Sequence, residues 1–557
     1  MEIRKLLLIS FIFSGIAALI YEITWIRPLQ FILGSTIYTI SIIFSAFMAG
    51  LALGSYIISK HVEKIKDIPY AYALFETTIG LYGVLLISIF NILPKIYNYL
   101  YSLHGNFYLF GLVQFGLVFI VLLIPTTLMG ATFPLIAKFY TKEKIGKAIG
   151  EVYAANNLGA IIGSFAAGFI LIPLLGITIS IIMAGTINFL IAGIILWKTN
   201  KEKFKKVFLV CLLFFILLAS FASYNIQELH SGGFYRTSEI QKDLGQVVYY
   251  KEGLHATITV RELYGTGKAL YINGKPQGSY EILDLRVNYL LAYLPRLLRP
   301  ESENALVIGL GTGTTSGQLS QIMNTTTIEI EKEVIPASNY FTLFNENVLE
   351  NKNHELIIND GRNYLLKSEK RYSVIIPEPS DPWQSFSTNL FSKEFLELAS
   401  EHLEEDGLYL QWVPIYQMSA EDFKNFYKTF NQEFPYVIAF ANIKPTEDTP
   451  VKFETSEIIL IGSKSEMNLK DISTNYNTLP EESKQALSSL RLESGDKISE
   501  LFLFSNKDLE GYAQNAETII DDKPSLEFST AKNVLNQDSK EVIDDLNKYL
   551  EGKNNVA

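Results

Sequence analysis

Three features of the sequence predict a multi-span α-helical membrane domain followed by a small β lobe and a Rossmann-like α/β domain. Residues 1–224 carry a series of apolar runs, each about 20 residues or longer, the length needed to cross ~30 Å of hydrocarbon. Short β-type runs with an Asn-Gly turn follow, and strand-like and helical segments then alternate around a glycine-rich turn. The 557 residues exceed one domain, and a hydrophobic content of 48% with mean hydropathy +0.19 is too apolar for an ordinary soluble protein of that length.

The apolar runs fall near 5–27, 32–58, 70–92, 108–137, 148–173, 175–197 and 207–224, which gives seven spans. The first keeps Tyr21, Glu22 and Trp25 where a cleaved signal peptide would carry small residues, so it is expected to remain in the bilayer. Basic residues in the short loops set the orientation. On the side of the N terminus lie fourteen, from Arg4, Lys5 and Lys60 through Lys142, Lys144, Lys201 and Lys206; the other side has Arg27 and Lys95. The N terminus is therefore expected in the cytoplasm and the chain in the cell membrane as a multi-pass protein. An odd number of spans puts everything after residue 224 on the outer side.

Small residues recur in these runs, Gly50 and Gly54 in one and Gly159, Gly163 and Gly168 in another, as helices need where lipid gives no hydrophobic drive to associate. Packing is the expected use of these glycines. Glu22, Glu76 and Glu151 lie within or at the ends of apolar runs, with Asn156 and Asn157 close by. Ionisable groups at such depth are costly and point to function, although Glu22 and Glu151 stand close enough to the ends to pair with Arg27 or Lys147.

Charge is unevenly placed. Residues 1–224 hold 16 Lys and Arg against 8 Asp and Glu, and the remainder holds 31 against 50. So acidic a second part repels phosphate backbones and suits cationic small molecules, so nucleic acid is not an expected partner. Cys211 is the only cysteine, which rules out an intrachain disulfide and a multi-cysteine zinc site. The six histidines show no metal-ligand spacing, and no metal is expected.

Beyond residue 225, Val247–Tyr250, Ala256–Val260 and Ala269–Ile272 are short β-type runs, and Asn273-Gly274 is a hairpin turn signal. The β lobe is assigned to 225–300, closing with a helix over Ile282 to Leu298, and the α/β domain to 301–557. Asn304–Ile308 reads as a buried strand leading into Gly309-Leu310-Gly311-Thr312-Gly313-Thr314-Thr315 and a helix from near Ser316. Glycines at such a turn let the backbone approach a ligand. A second strand over Thr326–Glu331 ends in carboxylates about 20 residues after the turn, where a parallel sheet offers acceptors to ribose hydroxyls. A third, Glu355–Ile358, ends in Asn359-Asp360-Gly361. The fourth, Ser373–Ile376, ends in Pro377-Glu378-Pro379-Ser380-Asp381-Pro382-Trp383, and a fifth spans Gly407–Trp412. Acids at consecutive strand ends predict a nucleoside site at the carboxyl edge of a parallel, doubly wound sheet. With no Gly-Lys-Ser/Thr in that turn, an S-adenosyl-like ligand fits better than a nucleoside triphosphate.

These motifs, with Asn389-Leu390-Phe391-Ser392-Lys393-Glu394-Phe395, resemble those of the spermidine synthases, the polyamine aminopropyltransferases, over roughly residues 245–430. Residues Gly15 to Arg27, Phe47 to Gly54, Pro125 to Pro134 and Asp521 to Phe528 resemble the membrane-fused branch of that family. The resemblance implies a domain similar in fold to the S-adenosylmethionine methyltransferases, no prosthetic group, and decarboxylated S-adenosylmethionine as co-substrate. It implies aminopropyl transfer to a polyamine such as putrescine. Gly309 and Gly311 would then meet the thioether side, Glu329 the ribose, and Asp360 and Gly361 the adenine. Glu378 stands at the catalytic acid position, and Asp381 at that of the second acid, which grips the amine. The pattern departs at Thr312, where the family has an Asp, at Asn288, where it has a His, and at Ala256, aligned with a Gln. The soluble relatives are dimers or tetramers, so a homo-oligomer is compatible with the resemblance.

Two other readings fit the same residues: a membrane transport or sensing protein whose soluble domain binds a polyamine or nucleoside without catalysis, and another S-adenosyl-dependent transferase such as a methyltransferase. Asp521, Asp522 and Glu527 read as a solvated loop, with folding back towards the site as the alternative.

Overall fold

A computed structural model describes residues 2–141, 145–199, 202–222, 245–265, 267–378, 381–384, 387–443, 457–533 and 539–554. Lys142, Lys144 and Lys201 of the orientation argument, residues 225–244 of the expected β lobe, and Pro379 and Ser380 of the fourth strand-end motif lie outside the described residues. The chain divides into two compact units, Met1–Lys242 with Glu252–Ala256, and Asp243–Lys251 with Thr257–Ala557.

In the first unit the seven apolar runs correspond to α1 (Glu2–Leu33), α2 (Ile37–His61), α3 (Ile68–Tyr101), α4 (Phe107–Tyr140), α5 (Ile145–Ala166), α6 (Ile172–Lys198) and α7 (Glu202–Phe221). By length and composition, five described stretches are long and apolar enough to cross a membrane. The fifth, Ile145–Lys198, contains both α5 and α6. It is broken at Gly176, whose φ of 82° and ψ of 169° are not helical. A straight helix of 54 residues would extend ~80 Å, well past the end of α1, yet α5 and α6 both pack on α1. The chain therefore turns at Gly176.

The glycines act in packing as expected. A Cβ at Gly50 or Gly54 of α2 would collide with Thr126 or Thr127 of α4, and one at Gly159 or Gly163 of α5 with the Ile12 or Ile16 carbonyl oxygen of α1. Gly168 has open space around it. Glu76 is fully buried, and its carboxylate accepts from the Ser14 hydroxyl and the Asn188 amide, both at 2.6 Å. Glu151 pairs with Lys147 at 3.7 Å.

The second unit holds two sheets. Strands β1 (Gln246–Glu252), β2 (Thr257–Leu263), β3 (Gly267–Ile272) and β4 (Lys275–Ser279) form a four-stranded sheet in chain order, with β3 and β4 joined through Asn273-Gly274. Helix α8 (Ile282–Leu298) leads into the larger sheet. Its strands are β5 (Asn304–Ile308), β6 (Asn324–Glu329), β7 (His354–Ile358), β8 (Tyr372–Pro377), β9 (Leu403–Val413), β10 (Tyr436–Ala441), β11 (Ile458–Ser463) and β12 (Phe502–Ser505), in the order β12-β10-β11-β9-β8-β5-β6-β7.

Strands β5 to β9 are parallel, as the alternation with helices predicts. Beyond β9 the sheet turns antiparallel, β11 pairing with β9 and β10, and β12 with β10. Along β5, Leu306 and Ile308 enter one apolar core and Ala305 and Val307 the other. The first core takes Phe395 and Leu396 of α9 (Lys393–Glu401) and Phe423, Phe426 and Phe430 of α10 (Ala420–Glu433); the second takes Leu290, Leu294 and Leu297 of α8. Cover on both faces explains why β5 and β8 read as near-continuous apolar runs rather than alternating ones.

Candidate functional site

The glycine turn begins directly after β5. Gly309, Gly311 and Gly313 take φ values of +104°, +52° and +79°, a region in which a Cβ is strained. At Gly309 a Cβ would also come within 2.9 Å of the Glu378 carbonyl oxygen, so this residue lets the turn lie against the end of β8. The turn closes with the Gly313 N–H donating to the Leu310 carbonyl at 2.7 Å.

Glu329 is the last residue of β6, beside β5. One carboxylate oxygen accepts from the Leu310 N–H and the other from the Glu331 N–H, each at 2.8 Å. Burial raises its pKa, and these backbone donors oppose the rise without cancelling it. The acid thereby fixes the glycine turn through its backbone contacts. After β7, Asp360 caps the short helix over Gly361–Lys367 by accepting from the Asn363 N–H at 2.8 Å. Gly361 is buried against the Ile308 side chain, where a Cβ would collide. Gly309, Gly311, Glu329, Asp360 and Gly361 thus come together at the carboxyl ends of β5, β6 and β7, which are neighbours in the sheet.

The two acids after β8 meet different fates. The Glu378 N–H donates to the Ile308 carbonyl at 2.8 Å, which pins Glu378 beside the glycine turn. One of its carboxyl oxygens is buried without a hydrogen-bond partner among the described residues. Burial pushes this carboxyl up to about 7, against a smaller opposing effect of a hydrogen bond with Thr315. The Thr315 hydroxyl also donates to Asn288 Oδ1 on α8 at 3.1 Å. A carboxyl poised near neutrality can take up a proton at physiological pH.

Asp381 is completely buried and already occupied. Lys275 of β4, itself 4% exposed, forms an ion pair with it, Gln417 Nε2 donates to it at 2.6 Å, and the Tyr416 hydroxyl lies at 3.4 Å. The charge of Lys275 also acts on Asp284, which accepts from the Ser279 hydroxyl at 2.5 Å, and on Glu457, which burial pushes up to about 7. At Thr312 the hydroxyl pairs with that of Thr314 at 2.8 Å.

Reading the sequence missed Lys275, Gln417 and Glu457. Lys275 follows the Asn-Gly turn, where a lysine reads as a solvated strand residue, and its partners are distant in sequence. Gln277, two residues on, carries a buried amide nitrogen without a partner among the described residues; the Asn-Gly turn before it was the available signal. Asp521, read as part of a solvated loop, instead reaches Arg362, which donates to it through both terminal nitrogens, one at 2.9 Å.

Comparison with known proteins places this site in a recognised domain. Residues 285–457 match the spermine/spermidine synthase domain. A protein named polyamine aminopropyltransferase 2 from Aquifex aeolicus is 23% identical over 473 residues, covering 82% of this chain and 91% of that protein. A polyamine aminopropyltransferase from Corynebacterium efficiens is 26% identical, over 72% of this chain and 76% of its own length. A crystal structure of spermidine synthase from Thermotoga maritima aligns with 20% identity and a TM-score of 0.37, over 44% of this chain and 88% of that one. The resemblance carried by the strand-end motifs is therefore borne out.

Proposed function

The chain is an enzyme of the aminopropyltransferase type, carrying a spermine/spermidine synthase domain, and from that premise we propose that it transfers the aminopropyl group of decarboxylated S-adenosylmethionine to an amine at the ends of β5 to β8. Its relatives are named for polyamine chemistry, and putrescine is the diamine against which any other acceptor amine is to be compared. The observation that carries the reading is the Glu378 carboxyl, buried with one oxygen unpartnered among the described residues and pushed up to about 7, beside a glycine turn that Glu329 holds in place.

In this reading the adenosyl group lies over β5 to β7. Glu329 accepts from the ribose hydroxyls, Asp360 and Gly361 border the adenine, and Gly309 and Gly311 admit the sulfur side. The acceptor nitrogen attacks the carbon next to the sulfonium, the carbon–sulfur bond breaks, and methylthioadenosine leaves. Glu378 takes the proton that the nitrogen sheds. Asp381 faces the acceptor side through its pair with Lys275.

The same proposal takes the first unit as a multi-pass anchor in the cell membrane, with a cytoplasmic N terminus and the second unit on the outer side. Its support is the five long apolar stretches and the excess of basic residues on one set of loops.

Calorimetric titration of the detergent-solubilised chain with methylthioadenosine tests the nucleoside half. Binding that is lost in Glu329→Ala and Asp360→Ala is expected, and an intact sample that does not bind overturns the proposal. Glu378→Gln should keep this binding and lose turnover; unchanged turnover would exclude Glu378 as the base. Release of S-adenosylhomocysteine instead of methylthioadenosine would make the enzyme a methyltransferase.

A further inference from the structure

The second unit buries a cation of its own beside the place where its chemistry calls for an incoming one. Lys275 and Asp381 are both withdrawn from water and form an ion pair, with Gln417 and Tyr416 completing the contacts of the carboxylate. Two buried charges of this kind neutralise each other, and removing either strands the other. A free amine competing for Asp381 would have to displace a lysine tethered to β4, whose effective concentration is set by the chain.

Two further acids feel the charge of Lys275. Burial raises Asp284 and pushes Glu457 up to about 7, and Asp284 is further engaged by Ser279. Of Glu378 and Asp381, Glu378 is the one that keeps a carboxyl oxygen without a hydrogen-bond or ion-pair partner among the described residues.

On the aminopropyl-transfer reading, we propose that Lys275 determines acceptor specificity: its ammonium stands in for the far cation of a diamine, so the site takes a primary amine with a single basic nitrogen and turns α,ω-diamines away. A diamine such as putrescine would have to bury its second ammonium against a carboxylate that is already neutralised. A monoamine of the same length brings only the nitrogen that reacts and an apolar tail.

The test measures methylthioadenosine release from decarboxylated S-adenosylmethionine by the full solubilised chain, with n-butylamine and with putrescine. The native chain should favour n-butylamine. Lys275→Met keeps the bulk and removes the charge, and should move the preference towards putrescine by at least about tenfold, the scale on which loss of a polar partner discriminates substrates. Because Lys275→Met leaves Asp381 unpaired, its thermal stability is measured as well; putrescine should raise its Tm more than n-butylamine does. The neutral pair Lys275→Met/Asp381→Asn controls for folding and should show no gain for putrescine. Equal use of both amines by the native chain, or a Lys275→Met variant with unchanged preference and equal Tm shifts, would overturn the inference while leaving aminopropyl transfer intact. No release with either amine from any form overturns the transfer reading, and the inference falls with it.

Discussion

On the proposed reading, Glu378 sets the pH behaviour of turnover. Its carboxyl must be ionised to take a proton from the acceptor, and burial holds its pKa at about 7. Turnover should therefore rise as pH increases through about 7. Glu378→Gln should abolish this limb and lower kcat by about 10²–10⁴, the usual contribution of a positioned base. A pH–rate profile of the two forms checks both points. The same carboxyl, with Glu457, makes stability depend on pH in the opposite sense. Both have an ordinary value of 4.5 and a folded value of about 7, so between these the folded chain holds protons that the unfolded chain has released. The stabilisation is present in full below about 4.5 and is lost as pH rises through about 7, which thermal unfolding across that range should record. At this scale the sequence revealed the residues whose environment is local. Gly309, Glu329 and Asp360 stand at strand ends or within two residues of them, so the fold alone brings them together. The occupant of Asp381 was hidden because the pair joins β4 to the segment after β8, and nothing near Lys275 in sequence marks it as buried.

Elements show a similar division. The alternation of strand-like and helical segments located β5 to β9, with ends shifted by a few residues, and it was clearest at β5 and β8, which cover on both faces makes near-continuous apolar runs. The antiparallel strands β10 to β12 were harder to assign, since β10 and β11 pair with each other across residues that contribute no regular pattern. The pair between Arg362 and Asp521 shows how the late part of the chain supports the nucleoside end. Arg362 directly follows Gly361, and its hydrogen bonds hold the Asp521 carboxyl below its ordinary value of 3.8. Asp521→Asn should lower stability by about 1 kcal/mol, as expected for a two-pronged but partly solvated pair. That difference should be complete at neutral pH and shrink as acid protonates Asp521 in the native chain, which thermal unfolding at pH 7 and pH 3 would compare.

For the whole molecule, the proposed membrane anchoring of the first unit would decide where the proposed chemistry takes place. The turn at Gly176, near the start of α6, breaks the longest apolar stretch in two, and if each of the seven helices crosses the bilayer, the second unit lies opposite the N terminus. Protease added to intact cells should then digest the second unit and spare a tag at residue 1. Protection of the second unit until the membrane is opened would instead mean an even number of crossings and a cytoplasmic site with direct access to the donor.

The strand order of the large sheet also gives the synthesis of the chain a timetable. Growing from β5, the sheet extends first to β7 and then, on the other side, to β8 and β9. There it waits: β10 is made before β11, yet β11 is the strand that sits against β9. Until residues 458–463 emerge, Leu408–Val413 of β9 present an open edge, the kind that recruits other chains into aggregates. Glu457 arrives in the same moment, immediately before β11, so the surroundings of Lys275 are completed only when that edge is sealed. A nascent chain halted a few residues earlier would be both unfinished as a catalyst and adhesive, and a cell that stalls on this message would need to hold it apart from its neighbours.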